Sequence, residues 1–248
     1  MFPRHRTLLW IAAFGLAMGS ASAAVVVHEF ALRGTLDDNK GGPALASLGG
    51  QITALGYVFT ANQGLTLSST ALSSTDFSLE LSFKFDAISG YRKIADFHDR
   101  ADDTGFYQLS GSLNFYPIVT ASTADFVADT NVHVVLTRDG ATSVVTGFVN
   151  GQQRFSFVDT SPLATITAAG NKLTLFADDF STSQREASSG TVNYVRVFNG
   201  ALTAAEVNAL FLGGSPSAVP EPSTLVLLGA GVLIVGCTTR RKRLKPRQ

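Results

Sequence analysis

Ser74-Thr75-Asp76-Phe77-Ser78-Leu79-Glu80-Leu81-Ser82-Phe83-Lys84-Phe85-Asp86 decides how the chain is read. Phe77, Leu79, Leu81, Phe83 and Phe85 take alternate positions, with Ser78, Glu80, Ser82 and Lys84 between them. A period of two is the pleat of a strand with one apolar and one polar face. The same reading extends along the chain. Val132–Arg138 and Ser143–Val149 are β-branched runs joined by a turn at Asp139-Gly140, and Asn150-Gly151 then turns the chain into Gln152–Val158. Lys172–Ala177, Thr191–Phe198 and, near the start, Val25–Phe30 add strands. Tyr91–Phe97, Gly105–Leu109 and Leu113–Tyr116 read as strands on less regular patterns. One helix is expected, over Ala204–Phe211, with Thr203 and Glu206 as a capping box and Leu202 and Val207 as a hydrophobic staple. Many short strands and a single late helix predict an all-β fold, a two-sheet antiparallel sandwich.

Composition narrows the function. The chain has 248 residues, of which 45% are hydrophobic and 15% charged, so it has the apolar content for a core and too little charge for a disordered polyelectrolyte. Cys237 is the only cysteine, which excludes a disulfide framework. The formal charge is zero, but the basic residues are pushed to the ends. Between Ala24 and Ala218 there are 11 Lys and Arg against 18 Asp and Glu. A body with that acidic surplus repels phosphate backbones, so no nucleic-acid partner is expected.

Both ends read as sorting signals. Arg4 and Arg6 precede an apolar stretch, Leu8–Met18, which is too short to span a bilayer comfortably. Ala21-Ser22-Ala23 then supplies a small-x-small cleavage pattern. Residues 1–23 are therefore expected to be a signal peptide, cut between Ala23 and Ala24. At the other end, Gly213–Ala218 is a linker leading to Val219-Pro220-Glu221-Pro222, whose prolines exclude helix. Thr224–Thr239 follows without a charge and would span roughly 24 Å as a helix at 1.5 Å per residue. Arg240, Arg241, Lys242, Arg243, Lys245 and Arg247 close the chain and would stay cytoplasmic, leaving the body on the periplasmic side.

The order Pro220-Glu221-Pro222, apolar helix and Arg-rich end resembles the PEP-CTERM sorting signal of Gram-negative bacteria, over residues 219–243, with a basic tail at 244–248. That resemblance implies an exosortase as processing partner, an inner-membrane contact through the apolar helix before processing, and release to the cell surface or an exopolysaccharide or biofilm matrix. Within residues 24–212 the order of segments resembles the LamG-like, concanavalin A-like jelly roll. The resemblance is carried by the Gly34-Thr35-Leu36-Asp37-Asp38 turn, Phe77–Phe85, the Tyr91–Phe97 strand followed by Gly105-Phe106-Tyr107, the His133–Gly140 and Gly147–Gly151 hairpin, and the closing Gly190–Phe198 strand with Ala201–Val207. Asn131 stands where many members carry a tryptophan, a packing residue.

Similar folds often hold Ca²⁺ between an early turn and a late strand end. On that resemblance Asp37, Asp38, Asp178 and Asp179, with Glu186, are candidate ligands, since Ca²⁺ takes several oxygens at about 2.3–2.6 Å. Asp99, Asp102 and Asp103 lie in a dense acidic loop, Asp96–Gly105, without EF-hand spacing; they are candidates for a ligand loop, beside the alternative of a solvated turn. Tyr57, Tyr91, Tyr107, Tyr116 and Tyr194 are candidates for stacking on sugar rings, beside the alternative that each is half-buried in the sandwich.

Catalytic patterns are missing. The body carries only Glu29, Glu80, Glu186 and Glu206, and none has an Asp two residues on, so the Glu-x-Asp-x-x-Glu strand of jelly-roll glucanases is not present. Glu80 falls on a strand's polar face and Glu206 in the capping box. His28, His98 and His133 have no zinc-ligand spacing, and Gly-x-Ser-x-Gly does not occur. The sequence therefore predicts a protein that is not an enzyme, an exported glycan-binding or adhesive module with extracellular polysaccharide as partner. A polysaccharide hydrolase or lyase of the same fold, and a structural surface protein without a ligand, stay open as alternatives.

Overall fold

The computed structural model describes residues 24–68, 75–166 and 172–213. The expected signal peptide, the expected linker beyond Gly213, Pro220-Glu221-Pro222 and the apolar segment lie outside them.

The alternating stretch forms a nine-residue strand, Phe77–Phe85 (β6). Before it come β1 (Val26–Phe30), β2 (Ala46–Ser47), β3 (Gln51–Thr53), β4 (Gly56–Phe59) and β5 (Leu65–Ser68). After it come β7 (Tyr91–Asp96), β8 (Gly105–Leu109), β9 (Ser112–Tyr116), β10 (Val119–Ala124) and β11 (Val132–Arg138). The last elements are β12 (Val144–Val149), β13 (Gln152–Val158), β14 (Lys172–Leu175), β15 (Gly190–Phe198) and α1 (Ala204–Phe211).

Two antiparallel sheets result. The first runs β13-β12-β11-β6-β15-β4-β3, with β1 also paired to β15. The second runs β10-β9-β8-β7-β14-β5-β2. Register fixes which side chains meet: Leu81 of β6 lies opposite Val134 of β11 and Val195 of β15, so one apolar row crosses the sheet. Phe77, Leu79, Leu81, Phe83 and Phe85 all point into the space between the sheets, facing Phe106, Phe115, Leu173 and Leu175 from the other side. Phe176 sits at the centre of this core, its ring 4.9 Å from Phe59 and 5.0 Å from Phe83.

The polar face of β6 is not the solvated face that alternation implies. Ser78 and Glu80 are fully buried. The reason is α1, which lies over the outer face of the first sheet. Val207 and Leu210 pack there with Val135, Phe148, Phe198 and Leu202. Ser78 Oγ donates to Gly200 O and accepts from Leu202 N, tying β6 to the segment entering the helix. Beside the helix, Glu80 accepts from Tyr194 OH at 3.1 Å and Arg196 Nη1 at 3.3 Å, and meets His133 Nε2 at 2.9 Å. Burial alone would push the Glu80 carboxyl up, but the His133 hydrogen bond and the Arg196 charge hold it below the ordinary value. The capping box forms as expected: Thr203 Oγ1 accepts from Glu206 N, and Glu206 Oε2 accepts from Thr203 N at 2.7 Å.

Phe176→Ala removes the ring on which Phe59, Phe83 and Phe85 converge. We expect a loss of about 3–5 kcal/mol of unfolding free energy, read as a shift in the urea midpoint without a change of slope.

Candidate functional site

The outer face of the second sheet carries the site. Along β7, Ile94 enters the core and Lys93 and Tyr91 point outward; on β8, Phe106 goes in and Tyr107 out; on β9, Asn114 and Tyr116 go out. Lys93 lies opposite Tyr107, and Tyr107 opposite Asn114. Three tyrosines therefore meet edge to face: Tyr91 is 5.6 Å from both Tyr107 and Tyr116, and Tyr107 is 6.5 Å from Tyr116. Tyr91 and Tyr116 are half-buried and Tyr107 fully buried.

Lys93 is the feature that sequence reasoning missed. Its side chain has no solvent exposure. Nζ is 3.2 Å from Asp96 Oδ2, 3.2 Å from Asp179 Oδ2 and 4.0 Å from Asp178 Oδ1, donates to Thr104 O at 2.9 Å, and lies 4.2 Å above the Tyr107 ring. The anions come from two loops. The β7–β8 loop begins at Asp96, whose Oδ1 accepts from His98 N and Arg100 N. The β14–β15 loop supplies Asp178 and Asp179 and is laced to β7, since Lys93 N donates to Glu186 O. Thr182 secures both aspartates: its Oγ1 donates to Asp178 Oδ2, and its N–H to Asp179 Oδ1. Asp99, Arg100, Phe176, Ser183 and Gln184 all take left-handed backbone conformations in or beside these two loops. Strain of that kind persists where surrounding contacts over-determine the backbone.

The structure regroups the predicted residues. Asp37 and Asp38 do not join Asp178 and Asp179: no hydrogen bond or ion pair among the described residues links the two pairs. Asp38 is consumed locally, 2.6 Å from His28 Nδ1 and accepting from the N–H groups of Glu29, Lys40 and Gly42. Asp37 is exposed and takes the Thr35 hydroxyl. Asp179 and Glu186 instead meet Asp103, with one oxygen of each within 4.8 Å of the others, an arrangement able to hold a metal ion. The two candidate groups thus merge through Asp103. Asp102 binds His98 and Thr104, and Asp99 stays exposed on the loop. Tyr57 is a core residue donating to Gly64 O, and Tyr194 serves Glu80 on the first sheet.

Charge is unevenly compensated. Burial pushes Asp179 up, but the Thr182 N–H and the Lys93 charge bring it below the ordinary range. Burial raises Asp178. Burial, then Asp103, Asp178 and Asp179, push Glu186 up to about 7. Burial and the same carboxylates raise the Tyr107 hydroxyl well out of reach of ionisation, so it stays a donor, its one hydrogen shared between Asp103 and Asp179.

Residues 59–208 match the laminin G family described as the concanavalin A-like lectin/glucanases superfamily. The chain belongs to that superfamily. Residues 218–243 match the PEP-CTERM protein-sorting motif. The motif implies exosortase processing, export and C-terminal membrane anchoring. Among the described residues no helix is long and apolar enough to cross a membrane, and Thr224–Thr239 lies outside them. No curated protein sequence matches the chain.

Solved structures share the fold. Domain 4 of AbnA, an extracellular arabinanase from Geobacillus stearothermophilus solved with arabinotriose, is 18% identical with a TM-score of 0.55, covering 76% of this chain and 99% of that one. A Trypanosoma rangeli sialidase in complex with 2,3-difluorosialic acid is 15% identical with a TM-score of 0.58, covering 77% of this chain but only 33% of the sialidase. The botulinum neurotoxin serotype D binding domain is 10% identical with a TM-score of 0.53, covering 76% of this chain and 51% of that one. At these identities the likeness is one of fold. It corrects one expectation: the prediction that the protein is not an enzyme fails as an argument, because this architecture is part of an arabinanase and of sialidases. A missing glucanase motif does not exclude catalysis on such a fold.

Two outcomes test the electrostatics. Lys93→Met leaves Asp96, Asp178 and Asp179 buried without their cation, and we expect a loss of about 3–5 kcal/mol in urea unfolding. Glu186 keeps a proton in the folded state between its unfolded pKa of about 4.3 and about 7. In that window the native state binds more protons than the unfolded chain, so this group's contribution to stability falls as pH rises. Thermal melts in chelator should show Glu186→Gln losing less Tm than the parent across the window.

Proposed function

We propose that this is an exported surface or extracellular-matrix protein whose sandwich binds glycan on the outer face of the second sheet. The observation that carries the reading is the tyrosine trio, Tyr91, Tyr107 and Tyr116, set beside carboxylates that the protein does not fully neutralise. Aromatic rings offer apolar area to the C–H face of a sugar and keep a polar edge. Sugar hydroxyls are both donors and acceptors, and the hydroxyls of the half-buried Tyr91 and Tyr116 can serve as either. The complex of an arabinanase domain of similar fold with arabinotriose is consistent with a sugar ligand. The polysaccharide partner is extracellular, because the sorting motif sends the chain outward after exosortase processing.

The division of the chain follows the same proposal: a signal peptide over 1–23, the jelly roll over 24–212, a linker over 213–218 and the sorting signal over 219–243. A Ca²⁺ ion is the cofactor that the fold resemblance suggests, and Asp103, Asp179 and Glu186 are the residues that would hold it. Its chemistry there would be to neutralise the surplus charge and present open coordination positions to sugar hydroxyls.

Binding of the full-length protein in detergent to the producing cell's exopolysaccharide, with Ca²⁺ and with chelator, tests the reading. Tyr116→Ala should weaken binding about tenfold, the equivalent of about 1.4 kcal/mol. No retention on the polysaccharide in either condition would sink the proposal. The same incubation assayed for new reducing ends reads hydrolysis directly.

A further inference from the structure

We propose that Lys93 and Asp178 join covalently once the chain has folded, in an amide bond between the two side chains. The inference is independent of the glycan reading.

The reactants are already in place. Neither side chain has solvent exposure, and Lys93 Nζ stands 4.0 Å from Asp178 Oδ1. The Tyr107 ring covers Nζ at 4.2 Å. Strand pairing brings the two residues together. Leu175 of β14 lies opposite Ala95 of β7, Phe176 N donates to Ile94 O, and Asp178 follows two residues later. Lys93 N in turn donates to Glu186 O, which closes the loop back onto β7.

The two oxygens of Asp178 are treated differently. Oδ2 accepts from Thr182 Oγ1 and from Glu186 N, both at 2.8 Å. Oδ1 is buried and accepts from no donor. A carboxyl under attack needs one oxygen held by donors while negative charge gathers on it, and a second that is free to leave. Asp178 has that division. The other carboxylates around Nζ are spent. Asp179 accepts from Thr182 through Oδ1 and from Tyr107 through Oδ2, which also pairs with Lys93. Asp96 accepts from His98 N and Arg100 N through Oδ1, and its Oδ2 lies 3.2 Å from Nζ, where it can carry a proton. Oδ1 of Asp178 is therefore the oxygen on which a proton from the ammonium relieves most, because a buried acceptor without a donor is costly.

The ion pair is the starting state, and the balance closes without a co-reactant. The ammonium passes one proton to Asp178 Oδ1, which gives an amine beside a carboxylic acid. Nζ then bonds to Asp178 Cγ, and charge collects on Oδ2 between the Thr182 hydroxyl and the Glu186 N–H. A second proton leaves Nζ and reaches Oδ1 through Asp96 Oδ2. The Cγ–Oδ1 bond breaks, Oδ1 departs as water, and Nζ keeps its third hydrogen. Nothing is oxidised or reduced. Groups held in register in this way react at effective concentrations of about 10⁵–10⁸ M. The product also replaces two buried charges by one neutral amide, which removes their desolvation cost. Between Ala24 and Ala218 the chain has no cysteine, so a disulfide cannot supply a covalent tie within the body.

The test is a tryptic map of the full-length protein, kept folded in detergent at neutral pH overnight and then denatured. Trypsin cuts after Arg92, Arg100, Lys172 and Arg185, but not after a lysine whose Nζ is acylated. We expect a branched peptide of residues 93–100 joined to residues 173–185, lighter by one water than the two separate peptides, with fragmentation placing the link on Asp178. Lys93→Arg keeps a cation and cannot form the link, so it should give unbranched peptides only. Asp178→Ala, checked for folding by circular dichroism, should do the same, and Asp96→Asn should slow linkage by about a hundredfold or more. Unlinked peptides alone from the folded parent would overturn the proposal whatever the variants do. A link ending on Asp96 or Asp179 would overturn the assigned acceptor. Branching that forms equally in protein kept in urea would overturn the part given to the folded site.

Discussion

Lys93 carries an ammonium group from which water is excluded, and such a charge survives only where anions and carbonyl oxygens replace its hydration. Those replacements are drawn from two loops far apart in sequence, Asp96 and Thr104 on one side and Asp178 and Asp179 on the other. The lysine therefore ties the β7–β8 loop to the β14–β15 loop from the sheet side, beside the direct bonds from Arg100 Nε to Asp178 O, Phe180 N to Arg100 O and Ser181 Oγ to Ala101 O. Each loop alone would be a short acidic excursion. Held together, they form a wall beside three tyrosines. The second loop also lies along β7 through Lys93 N and Glu186 O, so the backbone and the side chain of one residue fix the same pair of segments.

Much of the fold was legible because its longest strands carry a strict alternation. β6, β11, β13 and α1 fall where the pattern placed them, and the helix cap was readable from Thr203 and Glu206 alone. β2, β3, β4, β5 and β10 were not. They run from two to six residues, and Val119–Ala124 is mostly Thr, Ser and Ala, so their pairing decides their conformation more than their composition does. Glu80 shows the limit of a one-strand argument. Alternation gives the face but cannot say that His133, Tyr194 and Arg196 from two other strands will close over it.

The site was half legible for the same reason. Its acidic residues stood out as pairs and as a loop, but which of them would meet depended on strand order. β7 lies between β8 and β14, so the loops leaving those strands converge on it, and Asp103 becomes a neighbour of Asp179 and Glu186. The turn holding Asp37 and Asp38 follows β1, a strand of the other sheet, and spends its acceptors on its own backbone and His28. Lys93 itself reads as an ordinary outward lysine on a strand. The one sequence signal was its position between Tyr91 and a chain segment dense in aspartate, a pattern that acquires meaning only once the partner loop is known.

The sandwich also keeps the two ends of the described chain apart from the acidic loops. Ala24, the first described residue, packs in the same cluster as Val207 and Leu210 of α1, so the body is entered and left on the outer face of the first sheet. The tyrosines and carboxylates lie on the outer face of the second sheet, with the whole phenylalanine core between the two. Gly213, the last described residue, therefore follows α1 away from the acidic loops. Burying a lysine between two loops and packing a helix on the other sheet are in this sense complementary devices. One orders the acidic loops over the second sheet, and the other covers the outer face of the first, where the described chain ends.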